Sequence, residues 1–320
     1  MTLRSVVRGT GSYLPLNRMV NDDLPAHLET SNEWILERTG IGARHIAAND
    51  ETTSDLAFHA ARRALESAKI SPDEIDLVII GTCTPDHTFP STASRVQARL
   101  GIRKGFAFDI NAACSGFVFA LATADNYLKN GMATKALIIG AETMSRIVDW
   151  NDRTTAVLFG DGAGAVVLEA EKETDRGIIG NLLRTDGQGY DQLYVRGGPS
   201  TTQTSGTIYM NGREVFKNAV TRLEEAVEDI LKLHNVDQSE IDWLVPHQAN
   251  KRIIDATAKK LNLSDDKVVH TGIDHANTSA ASIPLALDVA VRDGRIKPGQ
   301  LILCEAFAGG FAWGSNLIRM

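Results

Sequence analysis

The sequence predicts an α/β fold made of two similar halves, each a parallel sheet covered by helices on both faces. Two observations carry that expectation. Strand-like and helix-like segments alternate along the chain, and the second half repeats the order of the first. Leu77–Ile80 is a short apolar run closed by Gly81, and Ala136–Gly140 is another, as expected of buried strands. Helical stretches lie around them at Thr53–Ala68, Ser91–Leu100 and Cys114–Asn130. Parallel strands need such crossover helices, so the alternation points to a parallel sheet.

The repeat begins at Ser71–Gly81, SPDEIDLVIIG, which is matched by Asp237–His247, DQSEIDWLVPH, with Glu74 and Glu240 offset by 166 positions. A long helical stretch precedes each segment. A shorter one follows, ending in Arg99-Leu100-Gly101-Ile102 or Lys260-Leu261-Asn262-Leu263. Further helices run to Gly131 and Gly294, and strands Ala136–Gly140 and Leu301–Glu305 close the pattern. The expected halves are residues 1–172 and 173–320, packed by pseudo-twofold symmetry. Counting back 17 positions from Gly131 and Gly294 gives Cys114 and Asn277, so these two are expected to begin corresponding helices. His247 stands where Gly81 stands, at the carboxyl end of a strand. Ligands collect at such strand ends and at the helix starts facing them, so Cys114, His247 and Asn277 are expected to converge.

The whole-chain numbers narrow the function classes. Of 320 residues, 43% are hydrophobic and 23% charged, and the formal net charge is -7. An acidic balance argues against a nucleic-acid binder, and leaves any basic patch as a docking surface for an acidic partner. No signal peptide is visible, and no apolar run approaches the roughly 18–20 residues of a membrane helix. Cys83, Cys114 and Cys304 show neither disulfide nor zinc-ligand spacing, which predicts reduced thiols, no metal and a cytoplasmic setting.

Cys114 lies in Asp109-Ile-Asn-Ala-Ala-Cys-Ser-Gly-Phe, where a strand turns into an Ala-rich helix. A lone cysteine is more often a small buried hydrophobe. A helix start, however, lowers a thiol pKa and favours the thiolate, and the small Ser115 and Gly116 leave room for a substrate. Cys83 and Cys304 lack that context and are read as packing. His247 ends a strand at a Pro break in Trp243-Leu-Val-Pro-His-Gln-Ala-Asn; a hydrogen-bonded strand-end histidine is the plain alternative. For Asn277, in His275-Ala-Asn-Thr-Ser-Ala-Ala-Ser, the alternative is an N-cap. Gly9-Thr-Gly and Gly160-Asp-Gly-Ala-Gly lack the remaining residues of nucleotide-binding loops and are read as turns. Ala308-Gly309-Gly310-Phe311 follows a strand and can offer free N–H groups to a bound carbonyl.

DINAACSGF (109–117), DGAGA (161–165), DWLVPHQAN (242–250), HANTSAAS (275–282), EAFAGGFAWG (305–314) and TSNEWILERTGI (30–41) together resemble the type III β-ketoacyl-acyl-carrier-protein synthases. The likeness runs almost end to end. It implies a thiolase-like fold in αβαβα layers, and a condensation of a short acyl-CoA, such as acetyl-CoA, with malonyl-acyl-carrier protein. In that reaction Cys114 would carry the acyl group, and His247 and Asn277 would hold the malonyl thioester oxygen. The N–H groups of Cys114 and Gly309 would form the oxyanion hole. Departures from the family pattern are Ala276 and Ala308, where glycine is frequent; each adds a methyl expected to narrow the pocket or alter acyl preference.

The resemblance also implies binding residues. Trp34 and Arg153 would sandwich an adenine, with Arg38 on the same helix face as Trp34, and Thr30, Gly212, Phe216, Ala249 and Asn250 would line the pantetheine tunnel. Phe89 would reach the acyl pocket of a second subunit, implying a homodimer. Arg213, Lys217, Arg252, Lys259 and Lys260 would dock an acidic acyl-carrier protein. No cofactor is expected, acyl-CoA being substrate. The competing readings are a cysteine hydrolase, which shares the Cys–His–Asn order, and a related CoA-dependent condensing enzyme of secondary metabolism.

Overall fold

The computed structural model describes residues 3–320. Two mixed sheets organise the chain. The first has the order Leu3–Tyr13, Asp161–Lys172, Lys135–Thr143, Leu77–Gly81, Phe106–Ile110. The second has the order Gly177–Thr185, Ala312–Arg319, Leu301–Ala308, Trp243–Pro246. Only the Leu77–Gly81 strand, with its two neighbours, and the Trp243–Leu301 pairing are parallel; the remaining pairs are antiparallel, which corrects the all-parallel expectation. Antiparallel neighbours need no crossover helix, and Leu301–Ala308 and Ala312–Arg319 are joined by a hairpin.

Strand alternation builds the layers. Leu77 and Ile79 face a central core with helices Gly116–Lys129 and Ser282–Arg292, while Val78 and Ile80 face an outer core with helix Thr53–Ala68. On the second sheet Ile302, Cys304 and Ala306 face the same two central helices, and Leu301, Leu303 and Phe307 face helices Gly212–His234 and Lys251–Lys260. The order is therefore helix, sheet, helix pair, sheet, helix. Both faces of each sheet are buried, which is why the strands read as unbroken apolar runs.

Gly9 and Gly11 sit inside the first strand, and the Gly162–Gly164 segment inside another, so neither glycine stretch is a turn. A Cβ at Gly9 or Gly11 would collide with the backbone of helix Thr53–Ala68. These glycines let the helix pack directly on the strand.

The halves register at 166 positions at the parallel strands and at the turns that follow them. Lys69 and Asn235 both end helices with positive φ (55° and 52°), and Ala113 and Ser279 both open 3-10 turns with positive φ (44° and 50°). The turns Ala113–Ser115 and Ser279–Ala281 thus correspond, which pairs Cys114 with Ala280 and Asn277 with Asn111. This corrects the expectation that Cys114 and Asn277 are counterparts. The helix after the second turn has 11 residues against 14 in the first, so counting back from the terminal glycines mispairs the starts. Phe106–Ile110 has no full counterpart: the second half keeps one isolated bridge, Leu244 to Val268.

Candidate active site

Three loops bring Cys114, His247 and Asn277 to one cavity of about 1610 Å³, whose lining runs from Trp34, Arg38 and Arg153 to these three side chains. Each of the three is nearly buried, at 8%, 7% and 6% exposure, so the cavity alone gives access to them.

The local sequence explains each placement. Cys114 occupies the 3-10 turn that feeds straight into the helix from Gly116, two residues ahead of the helix proper. His247 follows the strand Trp243–Pro246; its N–H donates to Glu305 O (2.8 Å), tying it to the neighbouring strand. The next residue, Gln248, is buried and fully used: its Nε2 donates to Pro246 O and Val269 O, and its Oε1 accepts from Thr271 and Gly272 N–H. Asn277 pairs with the 158–160 segment, donating to Leu158 O (2.9 Å) and accepting from Gly160 N–H (3.1 Å). Its Oδ1 accepts from Ser279 N–H at 2.9 Å, which orients the amide NH₂ away from that turn. Asn111 repeats the arrangement, its Oδ1 accepting from Ala113 N–H at 3.2 Å.

Electrostatics separate the groups. Burial pushes the His247 imidazole down to about 4, so it is neutral near pH 7. Its Nδ1 lies 2.6 Å from Ser282 Oγ. Burial pushes the Cys114 thiol up to about 12; the Ser279 hydroxyl and the residue's own N–H pull the other way, and Glu142 adds to the rise. At rest Cys114 is thus a thiol, which corrects the expectation of a thiolate made by the helix start. Loss of water around a small anion outweighs a terminal dipole here. Glu142 is fully buried and accepts from Thr82, Cys83, Thr84 and Ser279. Cys83 donates its thiol to Glu142 (3.3 Å) and lines the cavity, so it is more than packing, whereas Cys304 is fully buried in its strand. Among the described residues the N–H groups of Cys114 and Gly309 make none of the backbone hydrogen bonds of the turns and loops.

Arg38 and Arg153 both lie against Trp34, their guanidinium carbons 4.8 and 5.1 Å from the ring centre. Arg153 also donates to Glu29 O at 2.9 Å. The expected adenine slot is closed by this stack, and a base entering it must displace Arg153. Gly212, Phe216, Ala249 and Asn250 line the cavity; Asn250 caps helix Lys251–Lys260 and donates to Arg38 O (3.1 Å). Thr30 does not line it. Arg213 and Arg252 stand at the lining, Arg252 over the Phe216 ring at 5.1 Å. Lys217 and Lys259 are exposed beyond it, and Lys260 is held by Glu228. Phe89 is 84% exposed and lines no part of its own chain's cavity. Ala276 and Ala308 are fully buried outside the lining, so their methyls do not narrow it; Ala276 packs with Ile35, Ile41 and Phe159. Asp255, Asp265 and His270 gather at the surface, but Lys251 already pairs with Asp255 and His270 with Asp265.

Sequence reasoning missed Ser279, Ser282, Gln248 and Glu142. The first two lie within HANTSAAS and Gln248 within DWLVPHQAN, so the motifs contained them without marking their roles; Glu142 carried no local signal.

The family model for 3-oxoacyl-[acyl-carrier-protein] synthase III matches residues 108–187, and the model for its C-terminal part matches residues 231–320. A curated relative from Paramagnetospirillum magneticum, a beta-ketoacyl-[acyl-carrier-protein] synthase III, is 60% identical over 324 residues and covers 100% of both chains. The crystal structure of a 3-oxoacyl-[acyl-carrier-protein] synthase III from Aquifex aeolicus superposes with a TM-score of 0.94 at 46% identity, covering 99% of this chain and 100% of that one. One from Pseudomonas aeruginosa gives 0.93 at 42% identity, with 99% and 98% coverage. No helix among the described residues is long and apolar enough to cross a membrane.

Proposed function

The chain belongs to the 3-oxoacyl-[acyl-carrier-protein] synthase III family, and from that premise we propose that it condenses a short acyl-CoA with malonyl-acyl-carrier protein. One observation carries the reading: a single cavity joins a mouth of one indole and two guanidinium groups to a thiol, a neutral imidazole and an oriented amide. A cationic aromatic mouth suits a nucleotide and its phosphates. The thiol suits acyl capture.

In the first half-reaction Cys114 attacks the thioester, the Cys114 and Gly309 N–H groups hold the oxyanion, and the thiol proton ends on the departing CoA sulfur. In the second, malonyl-acyl-carrier protein loses CO₂ while His247 Nε2 and the Asn277 amide hold the thioester oxygen. The resulting carbanion attacks the acyl carbon, releasing a 3-oxoacyl product and the Cys114 thiolate, which takes up a proton. A donor aimed at such a developing charge is worth about 3–4 kcal/mol of barrier. Arg213, Lys217, Arg252 and Lys259 form the candidate carrier-protein face, Lys260 contributing less because Glu228 engages it.

The reading extends to a cytoplasmic homodimer of two-half chains, divided near residue 172. The edge strand Phe106–Ile110 is unpaired on its outer side and carries half-buried Phe106 and Phe108, which a second copy would cover. Phe89 would then reach across. Incubation with radiolabelled acetyl-CoA is expected to label Cys114 alone. Label retained in Cys114→Ser, or found on the neighbouring Cys83, overturns the nucleophile assignment.

A further inference from the structure

His247 can hold a carbonyl oxygen only if its proton sits on the nitrogen that faces the cavity. A neutral imidazole has one N–H and one bare nitrogen, and the partner of the inner nitrogen decides which is which. That partner is Ser282, 2% exposed, at the first residue of helix Ser282–Arg292, with its Oγ 2.6 Å from Nδ1. The same oxygen accepts the Gln248 backbone N–H at 3.3 Å. Among the described residues the Ser282 hydroxyl has no other partner, and Nε2 has none in the protein.

A hydroxyl carries one proton. Pointed at Nδ1, it satisfies both groups, leaves an oxygen lone pair for Gln248, and puts the imidazole proton on Nε2. In the reverse arrangement Nδ1–H donates to Oγ, and the hydroxyl proton faces a buried site without an acceptor. Leaving such a donor unmade disfavours that tautomer by about tenfold or more. The other half supplies an independent observation. The positions equivalent to His247 and Ser282 are Gly81 and Gly116, whose backbones touch with no side chain between them. The imidazole and the hydroxyl therefore depart from the shared frame as a pair.

We propose that Ser282 is a positioning residue that sets His247 as its Nε2–H tautomer, making it a hydrogen-bond donor to the malonyl thioester and no base for the Cys114 thiol. This rests on the condensing-enzyme reading above, and its test has a readout independent of turnover. Long-range ¹H–¹⁵N correlation of ¹⁵N-histidine-labelled protein, with His247→Gln to assign the signal, is expected to show protonated Nε2 and bare Nδ1. Ser282→Ala is expected to bring in the Nδ1–H form. It should also slow malonyl-acyl-carrier-protein decarboxylation by about tenfold, much more than acetyl transfer to Cys114. Ser282→Thr, which keeps the hydroxyl, is expected to restore both readouts. In a His247→Gln background, where a fixed amide replaces the ring, Ser282→Ala is expected to add no further loss.

An Nδ1–H signal in the unmodified protein overturns the proposal, as does a Ser282→Ala protein with unchanged tautomer. An additional tenfold loss from Ser282→Ala on top of His247→Gln overturns it in favour of a purely structural serine. A tautomer shift in Ser282→Ala, with no decarboxylation by the unmodified enzyme, supports the role of Ser282 and sinks the reaction assignment instead.

Discussion

Gly81 and Gly116 touch backbone to backbone in the first half, whereas the positions 166 residues later hold His247 and Ser282, joined by a 2.6 Å hydrogen bond. The turns that follow differ in the same spirit. The first places a thiol at Cys114 where the second has Ala280, while both keep an asparagine three residues earlier, at Asn111 and Asn277. Glu142 stands next to last in one strand where Ala308 ends its counterpart. The duplicated frame aims both strand ends and both turns at one place. In the proposed reaction one half would offer the nucleophile and the other the donors, and Cys114 and His247 both stand where the copies diverge. The edges diverge too: the first sheet ends in Phe106–Ile110, and the second ends in one bridge beside Asp265, Asp266 and Lys267. Charges next to a shortened edge oppose strand addition, so of these two edges Phe106–Ile110 is the better suited to the proposed pairing with a second copy.

The sharpest way to break this comparison is to exchange its terms. His247→Ala is expected to fold normally yet lose about 10²–10³-fold in condensation, because it removes a donor and leaves the frame intact. At the twin position Gly81→Ala, the new Cβ would lie 2.6 Å from the Gly116 carbonyl carbon. Overpacking of that kind costs about 1–3 kcal/mol, so the urea midpoint should fall. A Gly81→Ala protein as stable as the unmodified one would show that the halves are not held to different packing at this point.

The edge comparison predicts that Phe108→Asp shifts sedimentation from dimer toward monomer, while Asp266→Ala in the second half leaves it unchanged. Equal behaviour of the two would mean that the Phe106–Ile110 edge is not the interface.

A further effect concerns acid. Burial holds His247 and His275 down to about 4, against an ordinary 6.5. Below about pH 6.5 the unfolded chain takes up protons that the folded one resists, so stability falls as pH drops toward 4, by at most about 1.4 kcal/mol per pH unit for each histidine. Urea unfolding at pH 7 and pH 5 should show this drop, and His275→Asn should lessen it. An equally steep drop in the variant would remove His275 from the account.

Hydrophobic periodicity was enough to find helix Thr53–Ala68 and the strands at Leu77 and Ala136, because both faces of those strands are buried and their residues must be apolar. The SPDEIDLVIIG and DQSEIDWLVPH match was enough to find the repeat and its 166-residue offset at the strands. The sequence by itself thus determined two halves, their layers, and the gathering of Cys114, His247 and Asn277. Only the tertiary structure decided how the turns register, because a helix shortened by three residues leaves no mark in the apolar pattern. It alone decided the resting state of the thiol, since ionisation depends on the water removed from around the sulfur. It alone joined Ser282 to His247, as hydrogen bonding depends on distance in space and these residues stand 35 positions apart in the chain.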